Sequence, residues 1–257
     1  MRTFCFSLNT SYLYTSYLYL NILALKIVKV LNIRLMPFFK APKFAIIAAA
    51  TENWGIGINN DLPWKQLLKT DMKYFERTTK RVLPSNNALT TITPELKENN
   101  KLQNAVIMGR KTWDSIPPKY QPLKDRLNIV ISKSLKETKG IDIIYPSFDE
   151  AISNLSNTSS EIASKISRIF IIGGSQIYKE AINSPNCIYI LLTRVYKHFE
   201  CDTFFPEIDE QIFSLASHEE LEEVVGEQVP KGNQTENGIE FEFLLYKRKF
   251  YEENACN

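Results

Sequence analysis

The sequence predicts an α/β fold: a central, mostly parallel twisted sheet with helices on both faces and a C-terminal antiparallel hairpin. Two observations carry this expectation. Short apolar runs end in a tight turn that opens a helix start, as at Ala105-Val106-Ile107-Met108 into Gly109-Arg110-Lys111-Thr112 and at Arg168-Ile169-Phe170-Ile171-Ile172 into Gly173-Gly174-Ser175. Between the first strand and these turns, Leu68, Met72, Phe75 and Thr79 recur at steps of four, three and four residues, the spacing of one helical stripe.

The first strand is the apolar run Phe44-Ala45-Ile46-Ile47-Ala48-Ala49-Ala50, which reads as buried on both faces. It breaks into Trp54-Gly55-Ile56-Gly57-Ile58-Asn59-Asn60-Asp61-Leu62-Pro63-Trp64, where two glycines and a proline flanked by large apolar groups describe a shaped loop over a cavity. In the helix that follows, Asp71 lies three residues after Leu68 and four before Phe75, so it points where they point. An ionised carboxylate without partners in an apolar setting costs several kcal/mol, on the order of other buried charges. A cationic or hydrogen-bond-donating ligand would compensate it; the alternative is an aspartate of a solvated first turn, favoured by the helix dipole. Residues 81–104 are polar and aperiodic, with Pro84 and Pro94, and are expected to be a surface excursion.

At the Gly109 turn, backbone N–H groups of the helix start suit a phosphate, and Arg110 and Lys111 add charge. A P-loop is excluded, because position 104 is Asn where that motif needs Gly. The Gly173-Gly174 turn is not the Gly-x-Gly-x-x-Gly fingerprint of a dinucleotide-binding Rossmann domain. Residues 154–167, rich in Ser and Asn, are expected to lengthen a helix-to-strand connection, and no internal repeat is visible.

With 257 residues and 44% hydrophobic content the chain can bury one good core, which favours one domain or at most two. Residues 1–43 hold six basic residues and no acid against a whole-chain charge of +2, so the remainder is net negative and nucleic acid is not expected as a principal ligand. Cys5, Cys187, Cys201 and Cys256 are scattered, and His198 and His218 form no metal pair with them, so free thiols in a reducing compartment and no metal are expected. Residues 12–25 are interrupted by Thr15, Ser16 and Asn21, too short for the roughly 20 apolar residues of a membrane span. They also lack the clean apolar core of a signal peptide.

Strand, apolar loop and acid-bearing helix together resemble the N-terminal signature of the dihydrofolate reductase family. The two glycine turns are similar to its cofactor loops in order and wording. Leu123-Lys124-Asp125-Arg126-Leu127-Asn128-Ile129-Val130-Ile131-Ser132-Lys133, Leu192-Thr193-Arg194, Asp202-Thr203-Phe204-Phe205-Pro206 and Gly238-Ile239-Glu240-Phe241-Glu242-Phe243 extend the resemblance to about residues 43–250, with a eukaryotic, fungal-like, monofunctional character. The organisation expected is an N-terminal extension at 1–42, a dihydrofolate-reductase-like domain at 43–250 and a tail at 251–257. A fused thymidylate synthase domain does not fit in the residues available. The extension reads either as a mitochondrial presequence or as sequence upstream of a start at Met36; the enzyme itself is expected in the cytoplasm, or in mitochondria if the presequence is real. A membrane anchor is not expected, and a monomer is.

The resemblance implies NADPH-dependent reduction of 7,8-dihydrofolate to tetrahydrofolate, which serves thymidylate and purine synthesis. Reducing a carbon–nitrogen double bond needs a hydride donor, a proton and a pocket holding the reactants face to face. No cysteine pair, flavin motif or metal cluster is visible, so the donor must be borrowed. For the cofactor the resemblance implies Ala49, Ile56, Gly57, Gly109, Arg110, Lys111, Thr112, Gly173, Gly174, Ser175, Gln176 and Ile177. Arg110 with Ser132 and Lys133 would take the 2′-phosphate, while Pro146, where relatives often carry a basic residue, lessens the preference over NADH. For the substrate it implies Asp71 on the amidine-like edge of the pterin, apolar walls from Ile47, Ala49, Leu62, Phe75, Ile116, Leu123 and Ile172, and Arg126 on the glutamate tail. Thr193 would support Asp71, Tyr178 would sit near the nicotinamide, and Trp64 would hold a water by its indole N–H. The proton would reach the ring nitrogen through water. The resemblance further implies a cis Gly173-Gly174 peptide. One departure is visible: Trp64 to Asp71 is seven residues, one more than expected of eukaryotic members, to be absorbed by a wider loop or a helical bulge. The alternatives are a reductase of another pterin or of a riboflavin-pathway pyrimidine, and a paralogue that binds nucleotide without turnover; Asp71, Arg126 and both glycine turns speak against each.

Overall fold

An unbroken apolar run makes β1 (Phe44–Thr51), and its two faces are equally buried, Ala45 and Ile47 in one core cluster and Phe44, Ile46, Ala48 and Ala50 in another. That places it in mid-sheet. The computed structural model describes residues 42–65, 67–83, 102–156 and 161–249, and in it β1 pairs in parallel with β6 (Ile166–Gly173) on one side and β7 (Cys187–Val195) on the other. Beyond β6 follow β3 (Gln103–Gly109), β4 (Arg126–Ile131) and β5 (Ile143–Tyr145), all parallel. Beyond β7 runs β11 (Ile239–Arg248), antiparallel, flanked by β10 (Gln234–Glu236) and β9 (Phe213–Leu215). The expected C-terminal hairpin is β10–β11, closed by Asn237 (φ 51°) and Gly238 (φ 70°), the two left-handed residues of a turn whose twist matches the strands it joins. A separate ribbon joins β2 (Gly55–Gly57) to β8 (Thr203–Phe204).

Helices cover both faces, as expected. On one lie α1 (Lys69–Lys80), α2 (Arg110–Ser115) and α5 (His218–Val225), whose Leu221, Val224 and Val225 join the cluster of Ile47 and Leu191. On the other lie α3 (Phe148–Leu155) and α4 (Ser175–Asn183), packing Phe148, Ile152, Ile177 and Ile182 with Ile46 and Ile171. Ser147 caps α3 and Ser217 caps α5, each accepting a backbone N–H three residues on.

Three expectations need correction. Met72 is 42% exposed, and the buried face of α1 is Asp71, Tyr74, Thr78 and Thr79. The reason is that Leu68 is the N-cap, with non-helical φ −107° and ψ 76°, so a four-residue step counted from it leaves the helical stripe. The first excursion does not reach 104: Gln103 opens β3, and Asn104 is fully buried, donating to the carbonyls of Thr79 (2.9 Å) and Arg81 (2.8 Å). The second is shorter than 154–167, because Asn154 and Leu155 finish α3 while Ile166 and Ser167 open β6. In both cases polar composition hid residues that the sheet and helices use. The N-terminal extension, the Met36 start and the tail lie outside the described residues, as do 84–101 and 157–160. Between Trp64 and α1 the described residues carry turns, with Lys65 left-handed (φ 48°), Lys65 N–H on Leu62 O and Leu67 N–H on Trp64 O.

Candidate active site

Because β1, β3, β4, β6 and β7 are parallel, their C-terminal ends share one edge of the sheet, where open α/β sheets form ligand crevices. Thr193, paired with Ala49 on β1 and Phe243 on β11, comes to this edge, and α1 crosses it with the Tyr74 ring 4.3 Å from that of Phe243. This crossing buries Asp71 to 6% exposure and sets it on the hydroxyl of Thr193, itself 2% exposed. Burial pushes the Asp71 carboxyl up from 3.8 to about 6, against the bond from Thr193 and with the charge of Glu236 adding to the rise. At neutral pH this carboxyl is therefore largely ionised in an apolar wall.

The wall comprises residues the sequence pointed to. Ile47 and Leu123 are buried with Trp64 in one cluster, against which the partly buried Ala49, Leu62, Phe75, Ile116 and Ile172 pack. Trp64 is fully buried, edge-on to Phe199 at 6.3 Å, and its Nε1–H has no partner among the described residues. The Tyr178 hydroxyl donates to Ile47 O (2.9 Å) and lies at Gly173, where an added Cβ would come within 3.6 Å of it. Arg126 is 7% exposed, donating from Nη1 to Thr79 Oγ1 (2.8 Å) and from Nε to Lys124 O (3.1 Å), with its guanidinium 5.9 Å from the Phe75 ring centre. Desolvation pulls it down to about 10, although Glu76 and Asp125 favour its charge. Both of those carboxylates pair with Lys80 (2.8 and 3.5 Å).

The shaped loop is pinned along its length. Ile58 and Asp61 bridge around left-handed Asn59 and Asn60 (φ 52° and 59°), Asn59 N–H donates to Asp202 Oδ2 (2.8 Å), and Phe205 N–H donates to Trp54 O (2.8 Å). Arg194 lies over the Trp54 ring at 4.2 Å and donates to Thr51 O (2.8 Å) and Glu52 O (2.9 Å). Gly55 is obligatory, since a Cβ there would lie 2.1 Å from Cys201 Sγ. Ile56 and Gly57 continue β2 beside it. A cleft of about 590 Å³ runs between the Asn59-Asn60 turn and the start of α2, with Arg110 and Lys111 in its wall.

The two glycine turns meet. A Cβ on Gly109 would lie 3.3 Å from Ile177 Cγ1 and 3.8 Å from Gly174 N, and one on Gly173 only 3.0 Å from Thr112 Oγ1. Neither Gly109 nor Gly174 caps its helix with a side chain, so the first N–H groups of α2 and α4 lie side by side without a side-chain cap. The Gly173-Gly174 peptide is cis, as expected. Ser175, Gln176 and Ile177 form the first turn of α4, with Gln176 turned to Glu180 (2.7 Å). Gly109 and Ile131 are in register, so Arg110 and Ser132 follow at the same level, and Arg110, Lys111 and Lys133 are exposed. Such paired, glycine-lined and uncapped helix starts with basic side chains fit a dinucleotide.

Sequence reasoning missed Glu236, Asp202, Arg194 and Thr79 as partners of this region. The Asn237-Gly238 dipeptide was the available signal for the hairpin that presents Glu236. Among the described residues no group of acids, His and Cys suits a metal, and no helix is long and apolar enough to cross a membrane.

Comparison with known proteins agrees with the geometry. The dihydrofolate reductase family model matches residues 86–248. The dihydrofolate reductase of Heliothis virescens is 41% identical over 211 residues, covering 80% of this chain and 97% of that protein, and that of Sus scrofa is 44% identical over 203, covering 79% and 96%. A solved structure, Schistosoma mansoni dihydrofolate reductase, aligns with a TM-score of 0.61 at 34% identity, covering 81% of this chain and 99% of that one. These animal relatives lend no support to the fungal-like character expected from the sequence. With a family model over more than half of its length and relatives above 40% identity that it spans almost completely, the chain belongs to the dihydrofolate reductase family.

Proposed function

We propose that this chain reduces 7,8-dihydrofolate to tetrahydrofolate with NADPH, as a monomer, in the cytoplasm or, if residues 1–35 direct import, in mitochondria. The observation that carries this reading is Asp71, a buried carboxyl beside Thr193 at the sheet end where the two glycine turns also lie. NADPH, when bound, supplies the hydride. The N–H groups at the starts of α2 and α4, with Thr112, would hold its phosphates, and Arg110, Ser132 and Lys133 would take the 2′-phosphate. Ala49, Ile56, Gly57 and Tyr178 would line the place of the nicotinamide.

Asp71 accepts both parallel donors of the pterin edge, a fork only a carboxylate completes. Ile47, Leu62, Phe75, Ile116, Leu123 and Ile172 exclude solvent around the ring. Arg126, desolvated before any ligand arrives, pairs with the α-carboxylate of the glutamate tail. The proton reaches the ring nitrogen through a water held by Trp64 Nε1–H. Below about pH 6 the Asp71 carboxyl brings into the site the proton that the reduction consumes and is left as the carboxylate that completes the fork, so turnover is expected to fall as pH rises above that point. An assay of NADPH oxidation with dihydrofolate tests the reading, and a folded chain without such turnover refutes it.

Two further outcomes are expected. Arg110→Ala combined with Lys133→Ala should raise KM for NADPH by about tenfold or more and leave KM for NADH nearly unchanged, because only the former carries the extra phosphate. Equal effects on both cofactors would remove these residues from 2′-phosphate recognition. A chain starting at Met36 should fold and turn over as the full chain does; insolubility or lost activity would refute that domain boundary.

A further inference from the structure

We propose that Glu236, at the tip of the β10–β11 hairpin, is a positioning residue for the reduction: it holds the first turn of α1 and biases Asp71 toward its protonated form. The proposal rests on the function proposed above. The first N–H groups of a helix lack intrahelical acceptors, and the N-cap of α1 is Leu68, whose side chain can accept nothing. Glu236 fills that place from outside the helix. Its Oε2 accepts the N–H of Thr70 at 2.9 Å, and its neighbour Asn237 donates from Nδ2 to Leu67 O at 2.7 Å. Two adjacent hairpin residues thus clasp both sides of the helix start, one residue away from Asp71.

The clasp is stiff. Both turn residues are left-handed, the hairpin is in register from Gln234 opposite Phe241 to Glu236 opposite Ile239, and β11 carries that register on to Phe243 opposite Thr193. The ladder that presents Glu236 is therefore continuous with the strand that presents the hydroxyl on Asp71. The groups facing the carboxyl are Thr193 from β7, Tyr74 on α1 itself, Tyr178 from α4 and Glu236 from β10. Of these only Glu236 brings a negative charge, and among the described residues it forms no ion pair that would neutralise it. A like charge disfavours ionisation of its neighbour. The same side chain can therefore set both where Asp71 sits and when it takes up a proton.

The test separates cap from charge. Glu236→Gln keeps an oxygen for Thr70 N–H and removes the charge; Glu236→Ala removes both. The first readout is the carbon-13 titration of the Asp71 carboxyl in the ligand-free full chain, assigned with Asp71→Asn. Its midpoint is expected to fall by roughly half a pH unit in Glu236→Gln. The falling limb of kcat/KM for dihydrofolate should move to lower pH by the same amount, which at neutral pH is a loss of roughly threefold. Thermal stability should drop only in Glu236→Ala. An unmoved carbon-13 midpoint in folded, active Glu236→Gln overturns the proposal and leaves Glu236 a helix cap. A wild-type chain that fails to reduce dihydrofolate refutes the function instead, and the midpoint then still decides whether Glu236 tunes Asp71.

Discussion

Asp71→Asn is expected to lower kcat/KM for dihydrofolate at pH 7 by at least about two orders of magnitude while leaving NADPH affinity almost unchanged. An amide accepts with only one of its two terminal atoms, so one donor of the pterin edge would face an N–H. Losing such a charge-assisted bond in a desolvated site costs about 1.5–3 kcal/mol, and more as positive charge develops on the pterin. The defect should shrink at low pH, where substrate already protonated in solution depends less on the carboxylate. The same substitution should stabilise the ligand-free protein. The folded carboxyl titrates near 6 against an ordinary 3.8, so its stabilising contribution is complete below about pH 4 and is lost as pH rises through 6. At pH 7 the ionised group therefore costs on the order of 2–3 kcal/mol, which the neutral amide avoids. A pH–rate comparison with NADPH binding and melting curves decides the matter. Turnover near wild type at pH 7 would remove Asp71 from the mechanism, and a less stable Asn variant with weakened NADPH binding would point to misfolding.

Arg168→Leu should destabilise the fold by about 3–5 kcal/mol without altering the kinetics of the folded enzyme. Arg168 is fully buried, with its guanidinium 4.9 Å from the Phe170 ring centre. It donates to Val224 O (3.0 Å), Thr78 O (3.0 Å) and Arg81 O. These carbonyls close α5 and α1, so the negative ends of two helices compensate the charge that a carboxylate usually would. Desolvation and the nearby Arg81 still pull the guanidinium down to about 10. Leucine would leave three inward carbonyls without that donor, a loss that lowers Tm by roughly 10 °C in a domain of this size. Distance protects the chemistry. Arg168 lies near the start of β6, five residues or roughly 16 Å before Gly173. On α1 it meets Thr78, seven residues or roughly 10 Å along the helix from Asp71. A melting curve with kcat and KM at a permissive temperature checks both halves, and an unchanged Tm or a selective fall in kcat would contradict the assignment.

The local parts of this protein follow from its sequence alone. The apolar run of β1, the two glycine turns into helix starts and the four-residue step from Asp71 to Phe75 depend on backbone preferences and burial within a few residues. Those preferences act wherever the segment lies. Met72 was misplaced by the same logic, because one residue at the helix boundary had left the helical period. What only the tertiary structure decided is which distant groups meet. Arg126 reaches Thr79 across 47 residues, Arg168 reaches Thr78 across 90, and Glu236 reaches Thr70 across 166. These meetings depend on β1 lying between β6 and β7 and on β11 running antiparallel beside β7. That strand order is set by the burial of the whole sheet between two helical layers, and no local stretch encodes it. The sequence thus singled out Asp71 and the two glycine turns, and the fold decided which neighbours they meet, since a carboxyl buried at one strand edge takes its proton affinity from whatever the sheet brings beside it.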